Sequence, residues 1–352
     1  FRKSNWRLRQ KLMLCTRNLM VNSKTCTWLE SARIRLTNRW QSLPHGILIT
    51  GPEMIGKSVL AFDLARIMLC ETDQNDSGCG TCTSCQLVEQ SVHPDLHVVT
   101  SEASENFLPA GFVRHAERYW LEKKSTSTRK PSEQVGGDSI RALNQNLSAT
   151  ASLGARKVVI FPKADQLNHN AANALLKLLE EPTRDTFIML VTSAAHRLPA
   201  TIRSRCIHFS VKGPSSSVVA TWLQDEKGVD PKTAAQLSEA GLGPFVITDF
   251  IEKGVDQTLL ELLGSIRDGE RVVGGFETLK RFFEALGDEF VLELLQRQFL
   301  KQVRKNAGAG VLSENDTKTM DRFIEIGEVR ESLRTTIDSQ LALEDMMIRI
   351  QS

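Results

Sequence analysis

The sequence lacks long hydrophobic runs, since its longest uninterrupted apolar stretches hold about five residues, as in Phe187 to Val191, against roughly 18 for a membrane-spanning helix. This shortage excludes an integral membrane protein, and no membrane partner is expected. The sequence also lacks a large charge of either sign, with a formal net charge of +2, so any nucleic-acid contact has to come from a local patch. A content of 41% hydrophobic and 24% charged residues excludes disorder, collagen and a disulfide-dense miniprotein.

Residues 1–26 form a basic N-terminal extension with seven Lys and Arg residues and no acid. It is either a transit-like segment or sequence upstream of the true translation start, because Met13 and Met20 follow Phe1. It lacks the apolar core of roughly 7–15 residues that marks a secretory signal. We therefore expect a reducing compartment, the cytoplasm, and do not interpret the seven cysteines first as disulfides.

Residues 27–212 alternate short apolar runs with helical patterns, which predicts an α/β domain with a mainly parallel sheet covered on both faces. The predicted strands are Gly46 to Thr50, Leu96 to Thr100, Lys157 to Phe161, Thr186 to Val191 and Ile207 to Ser210. The predicted helices between them are Lys57 to Leu69, Asp138 to Thr150 and Asn168 to Glu181. An insertion at 101–137 interrupts this rhythm with a short helix and a flexible polar loop.

The strand signals end after Gly213-Pro214. Residues 213–252 carry helical runs broken by glycine and proline, which predicts a small helical domain. Residues 253–352 carry helical patterns to the end, with a break at Asn306 to Gly310, which predicts an all-α domain that contributes core or subunit contacts.

The segment Gly51-Pro-Glu-Met-Ile-Gly56-Lys57-Ser58 fits the phosphate-loop pattern G-x-x-x-x-G-K-[ST], with an apolar strand before it and an amphipathic helix after it. In that context the loop N–H groups bind phosphates, Lys57 meets the β and γ oxygens, and Ser58 ligates Mg²⁺. The alternative is a retained loop that binds phosphate weakly or not at all.

Hydrolysis of a bound nucleotide needs acidic residues at the end of a neighbouring strand, to hold Mg²⁺ and to orient water. The strand Lys157 to Phe161 is followed by Pro162, which offers no ligand, and Lys163, which repels Mg²⁺. Asp165 comes three residues after Pro162 and is expected to start the next turn or to cap the following helix. No intrinsic ATPase activity is therefore expected.

Four cysteines, Cys70, Cys79, Cys82 and Cys85, form a C-x8-C-x2-C-x2-C cluster directly after the predicted helix that follows the loop. This spacing, with Gly80 allowing a tight turn, favours a structural Zn²⁺ with four protein ligands and no open position. An iron–sulfur cluster, a redox C-x-x-C motif and free thiols are the alternatives.

The motifs together resemble the bacterial clamp-loader subunits over about residues 27–252. The residues that carry the resemblance are Leu43 to Leu48, the four cysteines, His93-Pro94-Asp95, Ala172 to Pro182, and Ala200 to Cys206 with its Ser204-Arg205-Cys206 motif. The resemblance implies an AAA+ domain with a zinc module at 70–85, then a lid domain at 213–252 and a collar domain at 253–352. It also implies a bacterial pentamer that opens a sliding clamp and closes it on primed DNA.

Two kinds of clamp-loader subunit carry these motifs, the ATP-hydrolysing gamma/tau motor and the delta prime stator. Pro162 and Lys163 stand where the motor has Asp-Glu, and the stretch Gly241 to Phe245 lacks the arginine with which the motor's lid senses the γ-phosphate. Both departures point to the delta prime kind. The partners implied are the gamma/tau and delta subunits and, through the assembly, the clamp and primer-template DNA. The intact loop implies that ATP with Mg²⁺ binds here without being cleaved.

The resemblance gives Arg205 a role in trans, as an arginine finger that reaches ATP on a neighbouring motor subunit. The alternative for Arg205 is an ordinary surface arginine, and Cys206 is expected to be buried packing. The polar face of the Ala172 to Pro182 helix is either a subunit or DNA contact or a solvated surface.

Two other functions stay open on the sequence. One is an active gamma/tau-like motor, which would hydrolyse ATP by itself. The other is a zinc-dependent DNA-binding module with a vestigial ATPase fold, against which the small net charge argues. No carboxylate pair is placed for nucleotidyl transfer, so polymerase chemistry is not expected from this chain even within a DNA polymerase III holoenzyme.

Overall fold

The structure is a computed structural model, and it describes residues 26–38, 42–72, 78–108, 110–120, 132–153, 156–268, 288–308 and 314–332. The basic extension up to residue 25, most of the polar loop predicted after residue 124, and the last 20 residues of the predicted collar lie outside these ranges. The chain divides into two compact units. Among the described residues, one unit holds those from 26 to 222 together with 243–245, and the other holds 223–242 and those from 246 onward.

The first unit is built on a sheet of five strands in the order β2-β3-β4-β1-β5, and every described pairing is parallel. The strands are β1 Gly46–Thr50, β2 Leu96–Val98, β3 Lys157–Phe161, β4 Thr186–Thr192 and β5 Ile207–Ser210. The parallel α/β sheet is thereby confirmed, with strand bounds within two residues of those predicted.

The central strands are apolar on both faces because helices cover both sides of a parallel sheet. Ile47, Leu48 and Ile49 of β1 are fully buried, and so is nearly all of β3. The edge strand β5 pairs only with β1, and three of its four residues are exposed. The sheet therefore has a largely solvent-exposed edge strand on the β5 side.

One helix of the first unit precedes β1, and the others come after β1, β2, β3 and β4 in the chain. They are α1 Glu30–Thr37, α2 Lys57–Leu69, α3 Thr83–Glu89, α4 Ala110–Glu117, α5 Gly137–Ser148, α6 His169–Glu180 and α7 Ala200–Arg203. α6 begins where the side chain of Asn168 accepts a hydrogen bond from the Ala171 N–H at 2.8 Å, and its leucine face packs against the core. Pro182 follows its end, as expected for a helix stop.

The described residues after β5 are helical. The helices are α8 Ser216–Lys227, α9 Pro231–Glu239, α10 Pro244–Glu252, α11 Asp256–Asp268, α12 Asp288–Gly308 and α13 Glu314–Ser332, and α12 packs against α13. The boundaries of a lid at 213–252 and a collar at 253–352 stay predictions. Among the described helices, none is both long enough and apolar enough to cross a membrane.

All strands run in one direction, so their carboxyl ends lie along one edge of the sheet, the carboxyl edge, and their amino ends lie along the opposite edge, the amino edge. The carboxyl ends of β1, β3 and β4 lie at one edge, which carries the phosphate loop and the residues after β3. The segment before β5 lies at the opposite edge, beside Gly46 at the start of β1. With a rise of about 3.3 Å per residue, the five residues of β1 separate the two edges by roughly 13 Å.

Candidate functional site

The predicted phosphate-binding residues lie at the junction of β1 and α2, with Gly51 and Gly56 in the connecting loop and Lys57 and Ser58 in the first turn of α2. Gly56 is the N-cap of α2 with φ of 91°, in the left-handed region that favours glycine. No side-chain hydrogen bond caps this helix within the described residues. The first-turn N–H groups of a 13-residue helix are therefore free of a capping side chain, and they face an anion site by the usual helix-terminus geometry.

Three neighbours hold the outer side of this loop. The Trp28 indole Nε1–H donates to the Ile55 carbonyl at 2.8 Å, and the Phe245 N–H donates to the Met54 carbonyl at 3.4 Å. Gly243 lies so close that a Cβ there would be 2.8 Å from the Glu53 and Met54 carbonyl oxygens. The carbonyls of Met54 and Ile55 are therefore both engaged by residues outside the loop.

Lys57 is buried, with 7% of its surface exposed, and its Nζ donates to the Pro52 carbonyl within the loop. Burial lowers the pKa of Lys57 to about 8, while the carboxylates of Glu53 and Asp165 act in the opposite direction. The Lys57 amino group is therefore held against the carbonyl of Pro52 within the loop. The donor set fits a nucleoside phosphate.

The carboxyl end of β3 does not fit a hydrolytic magnesium site. Pro162 is buried and Lys163 follows it, so neither position offers a carboxylate to a cation. Asp165 lies in the next turn, Ala164–Gln166, and accepts a hydrogen bond from Thr192 Oγ1 at 2.6 Å. Of the two roles expected for Asp165, the place in the next turn is confirmed and the capping role is wrong, because the cap of α6 is Asn168. Asp165 serves instead to join the ends of β3 and β4.

The contact between Asp165 and Thr192 was missed by sequence reasoning, because it depends on the order of the strands in the sheet. Thr192 ends β4, which the sheet order places beside β3. Polar residues at the carboxyl ends of adjacent parallel strands meet at one edge, so the pair could have been found once strand order was known.

The four predicted metal ligands, Cys70, Cys79, Cys82 and Cys85, converge. Their Sγ atoms all lie within 4.8 Å of one another, and those of Cys79 and Cys85 are 4.0 Å apart. Four sulfurs around a zinc ion at about 2.3 Å would be roughly 3.8 Å apart. The residues present therefore fit a tetrahedral thiolate metal site.

Hydrogen bonds and burial set the charge of these thiols. The Thr81 side chain and the Cys82 N–H lower the pKa of Cys79 to about 5. Burial raises the pKa of Cys85 to about 12. A divalent cation would stabilise the thiolate form of all four, because metal coordination deprotonates a thiol.

The cysteine module is anchored to the sheet by buried polar contacts. Ser84 Oγ lies 2.6 Å from Nε2 of the fully buried His93. The backbone N–H of Ser84 donates to Glu71 Oε1 at 2.8 Å. Asp95 accepts from the N–H groups of Ser152 and Leu153 at 2.8–3.1 Å. The His93-Pro94-Asp95 motif is thus a structural link at the start of β2.

Arg205 lies before β5, at the opposite edge of the sheet from the phosphate loop. Its side chain is 36% exposed. Its Nη1–H donates to the Thr201 carbonyl at 2.9 Å, and its Nη2 lies 2.6 Å from Glu180 Oε1. The next residue, Cys206, is buried, as predicted, and burial raises the pKa of its thiol to about 11.

Residues 31–215, slightly more than half of the chain, match the family model described as DNA polymerase III, delta subunit. The chain is 31% identical over 242 residues to DNA polymerase III subunit delta' of Pseudomonas aeruginosa, which is 68% of this chain. It belongs to the delta prime family. The resemblance of its motifs to the delta prime kind is thereby confirmed.

A second delta prime relative, from Escherichia coli, is 34% identical over 182 residues, which is 52% of this chain. The match spans 65% of the Pseudomonas aeruginosa protein and 46% of the Escherichia coli protein. A solved DNA polymerase III gamma subunit-related protein from Thermotoga maritima is 20% identical, with a TM-score of 0.46, over 92% of this chain and 98% of its own. The phosphate loop, the four cysteines and Arg205 all lie within the stretch matched by the family model.

Proposed function

We propose that this chain is a clamp-loader subunit of the DNA polymerase III system that does not hydrolyse ATP and that supplies Arg205 to a neighbouring ATPase subunit. The observation that carries the proposal is the pairing of a phosphate loop with Pro162 and Lys163. A site that hydrolyses ATP needs carboxylates at the position these two residues occupy. Membership of the delta prime family supports the clamp-loader assignment.

Arg205 lies on the wrong side of the sheet to act on the chain's own nucleotide. It precedes β5, whereas the phosphate loop follows β1, and roughly 13 Å of strand separates the two edges. A guanidinium that is exposed at the amino edge suits a nucleotide bound by another subunit. In GTPases, an arginine that stabilises charge on the γ-phosphoryl oxygens accelerates cleavage by about 10³–10⁵-fold.

The subunit's own loop binds ATP with Mg²⁺ and does not hydrolyse it. The loop N–H groups and Lys57 would contact the phosphates, and Ser58 would contact Mg²⁺. The cysteine module holds a structural zinc. The partners are the gamma/tau and delta subunits, and the sliding clamp and primer-template DNA are reached through the assembly. The complex acts in the bacterial cytoplasm. The assignment of an AAA+ domain, a lid and a collar is part of the same proposal.

The second candidate is an ATP-hydrolysing motor of the gamma/tau kind. The completeness of the phosphate loop favours it, since a site that hydrolyses ATP needs both Lys57 and Ser58. A stator that does not hydrolyse ATP accounts for the absence of carboxylates at Pro162 and Lys163, whereas a motor does not.

The two functions are distinguished by ATP hydrolysis in a clamp loader reconstituted with its motor subunits, clamp and primed DNA. We expect the isolated chain to be inactive, Arg205→Ala to reduce hydrolysis by the assembly by at least about 10²-fold per affected site, and Lys57→Ala to have little effect on it. Hydrolysis by the isolated chain that Lys57→Ala abolishes would establish the motor. An Arg205→Ala assembly as active as the wild type would refute the finger.

A further inference from the structure

The guanidinium of Arg205 is held on one side by two contacts within its own chain. Nη2 pairs with Glu180 Oε1 at 2.6 Å, and Nη1 donates to the Thr201 carbonyl at 2.9 Å. A guanidinium has five N–H groups, and these contacts use two of them. The remaining N–H groups are available to a second anion while both contacts persist.

The two charged residues are attached to a rigid frame. Glu180 is the last residue of α6, and the preceding Leu179 carbonyl lies 2.7 Å from His45 Nε2, just before β1. Arg205 is fixed from the other side, because a Cβ at Gly46 would lie 2.8 Å from its carbonyl oxygen. The backbones of Glu180 and Arg205 therefore both lie against the start of β1. This common support sets the position of the two charged groups relative to each other.

The position of Glu180 is costly unless it is paired. A carboxylate in the last turn of a helix faces the negative end of the helix dipole, and Glu181 follows it directly. Glu181 forms no ion pair within the described part of the chain. The structure thus offers two adjacent carboxylates, of which one contacts Arg205 and the other does not.

We propose that Glu180 is a positioning residue that orients the Arg205 guanidinium toward the phosphate of a nucleotide held by the neighbouring subunit. The inference rests on the proposed function, since it gives Arg205 a target. Glu180 accepts from one end of the guanidinium and keeps the side chain from rotating away. It does not contact the nucleotide. An ion pair this exposed adds little to folding stability, so its effect belongs to the rate of the reaction.

The test is ATP hydrolysis by the reconstituted loader with four variants, Glu180→Gln, Glu181→Gln, Arg205→Ala and the double variant Glu180→Gln/Arg205→Ala. Displacement of a positioned group by about 1 Å costs up to about 10²-fold. Because the Thr201 contact remains, we expect Glu180→Gln to lower kcat about tenfold with KM for ATP unchanged, and Glu181→Gln to leave both unchanged. In the Arg205→Ala background, Glu180→Gln should have no further effect.

The outcomes distinguish the positioning role of Glu180 from the finger role of Arg205. If Arg205→Ala impairs hydrolysis and Glu180→Gln does not, the positioning role is overturned and the proposed function stands. An equal loss from Glu180→Gln with and without Arg205 would reveal a purely structural residue and overturn it as well. If Arg205→Ala has no effect, the finger and the positioning role both fail.

Discussion

Trp28 donates its indole N–H to the Ile55 carbonyl, 27 residues later, at 2.8 Å. This single hydrogen bond connects the segment before α1 to the outer surface of the phosphate loop. The ring itself makes edge contacts with Trp222 and Phe245, at centroid distances of 5.3 and 6.5 Å. The loop is therefore held from outside by a hydrogen-bond donor that belongs to an aromatic cluster.

Replacing Trp28 by Phe should weaken the binding of Mg²⁺-ATP to the isolated chain. The aromatic contacts persist in part, but the Ile55 carbonyl loses its donor, and a hydrogen bond of this kind contributes about 1 kcal/mol, or roughly fivefold in affinity. Isothermal titration calorimetry measures the effect. Trp222→Phe is the matched control, since the Trp222 indole nitrogen has no hydrogen-bond partner among the described residues. Equal weakening by both variants would attribute the effect to packing instead.

Gly243→Ala should destabilise the first unit and loosen the phosphate loop. The added Cβ would lie 2.8 Å from two carbonyl oxygens of the loop, and backbone cannot give way as a flexible side chain can. We expect a loss of about 1–3 kcal/mol in the free energy of unfolding, as for overpacking, measured by urea denaturation. Gly213→Ala meets only Pro52 at 3.5 Å and should be close to neutral. A neutral Gly243→Ala would show that the contact is loose in solution.

The purified protein should contain about one zinc ion per chain, measured by inductively coupled plasma mass spectrometry. Cys82→Ser should lose that ion, because three thiolates and a hydroxyl bind zinc more weakly. Cys206→Ser should retain it, since Cys206 belongs to the core beside β1 and not to the cluster. Iron in place of zinc, or full metal content in Cys82→Ser, would contradict the structural zinc site.

Acid should destabilise the fold through His97. Burial lowers its pKa to about 4, against about 6.5 in an unfolded chain, and its Nδ1 lies 2.6 Å from the Tyr119 hydroxyl. Between pH 6.5 and 4 the unfolded state binds more protons than the folded state. The stability is therefore complete above pH 6.5 and is lost as the pH falls, by about 1.4 kcal/mol per pH unit for this residue.

Urea denaturation at a series of pH values tests this dependence. His97→Asn, which keeps a hydrogen-bonding side chain but does not titrate, should reduce the slope between pH 6.5 and 4 by about 1.4 kcal/mol per pH unit. The slope that remains belongs in part to His115, whose pKa burial lowers to about 3. His196→Asn changes an exposed histidine and serves as the control. A slope that His97→Asn leaves unaltered would assign the acid sensitivity to other groups.

The sheet was predictable because its strands carry a strong local signal. A buried parallel strand is a short, continuous apolar run between turn residues, and β1 and β3, which are of this kind, have the bounds that the sequence predicts. The edge strand β5 also has the predicted bounds, although most of its residues are exposed. The order of the strands was not predictable from local pattern, because each pairing joins residues far apart in the chain. The contact between Asp165 and Thr192 depends on that order, and for this reason the sequence did not reveal it.

The metal ligands and the phosphate loop were predictable because their spacing is local. The ion pair between Arg205 and Glu180 was not predictable, since it joins the end of one helix to the segment before an edge strand. Its residues belong to motifs that the sequence identified separately. Only the packing of both segments against Gly46 brings them together.

The strand order has a consequence for synthesis on the ribosome. β1 is made first, but its partners β4 and β5 follow about 140 to 160 residues later. At a translation rate of about 5–20 residues per second, the apolar strand Gly46–Thr50 waits on the order of ten seconds or more for its neighbours. The nascent chain therefore exposes an unpaired hydrophobic strand during that interval, and it is a natural client for chaperones that bind extended apolar segments.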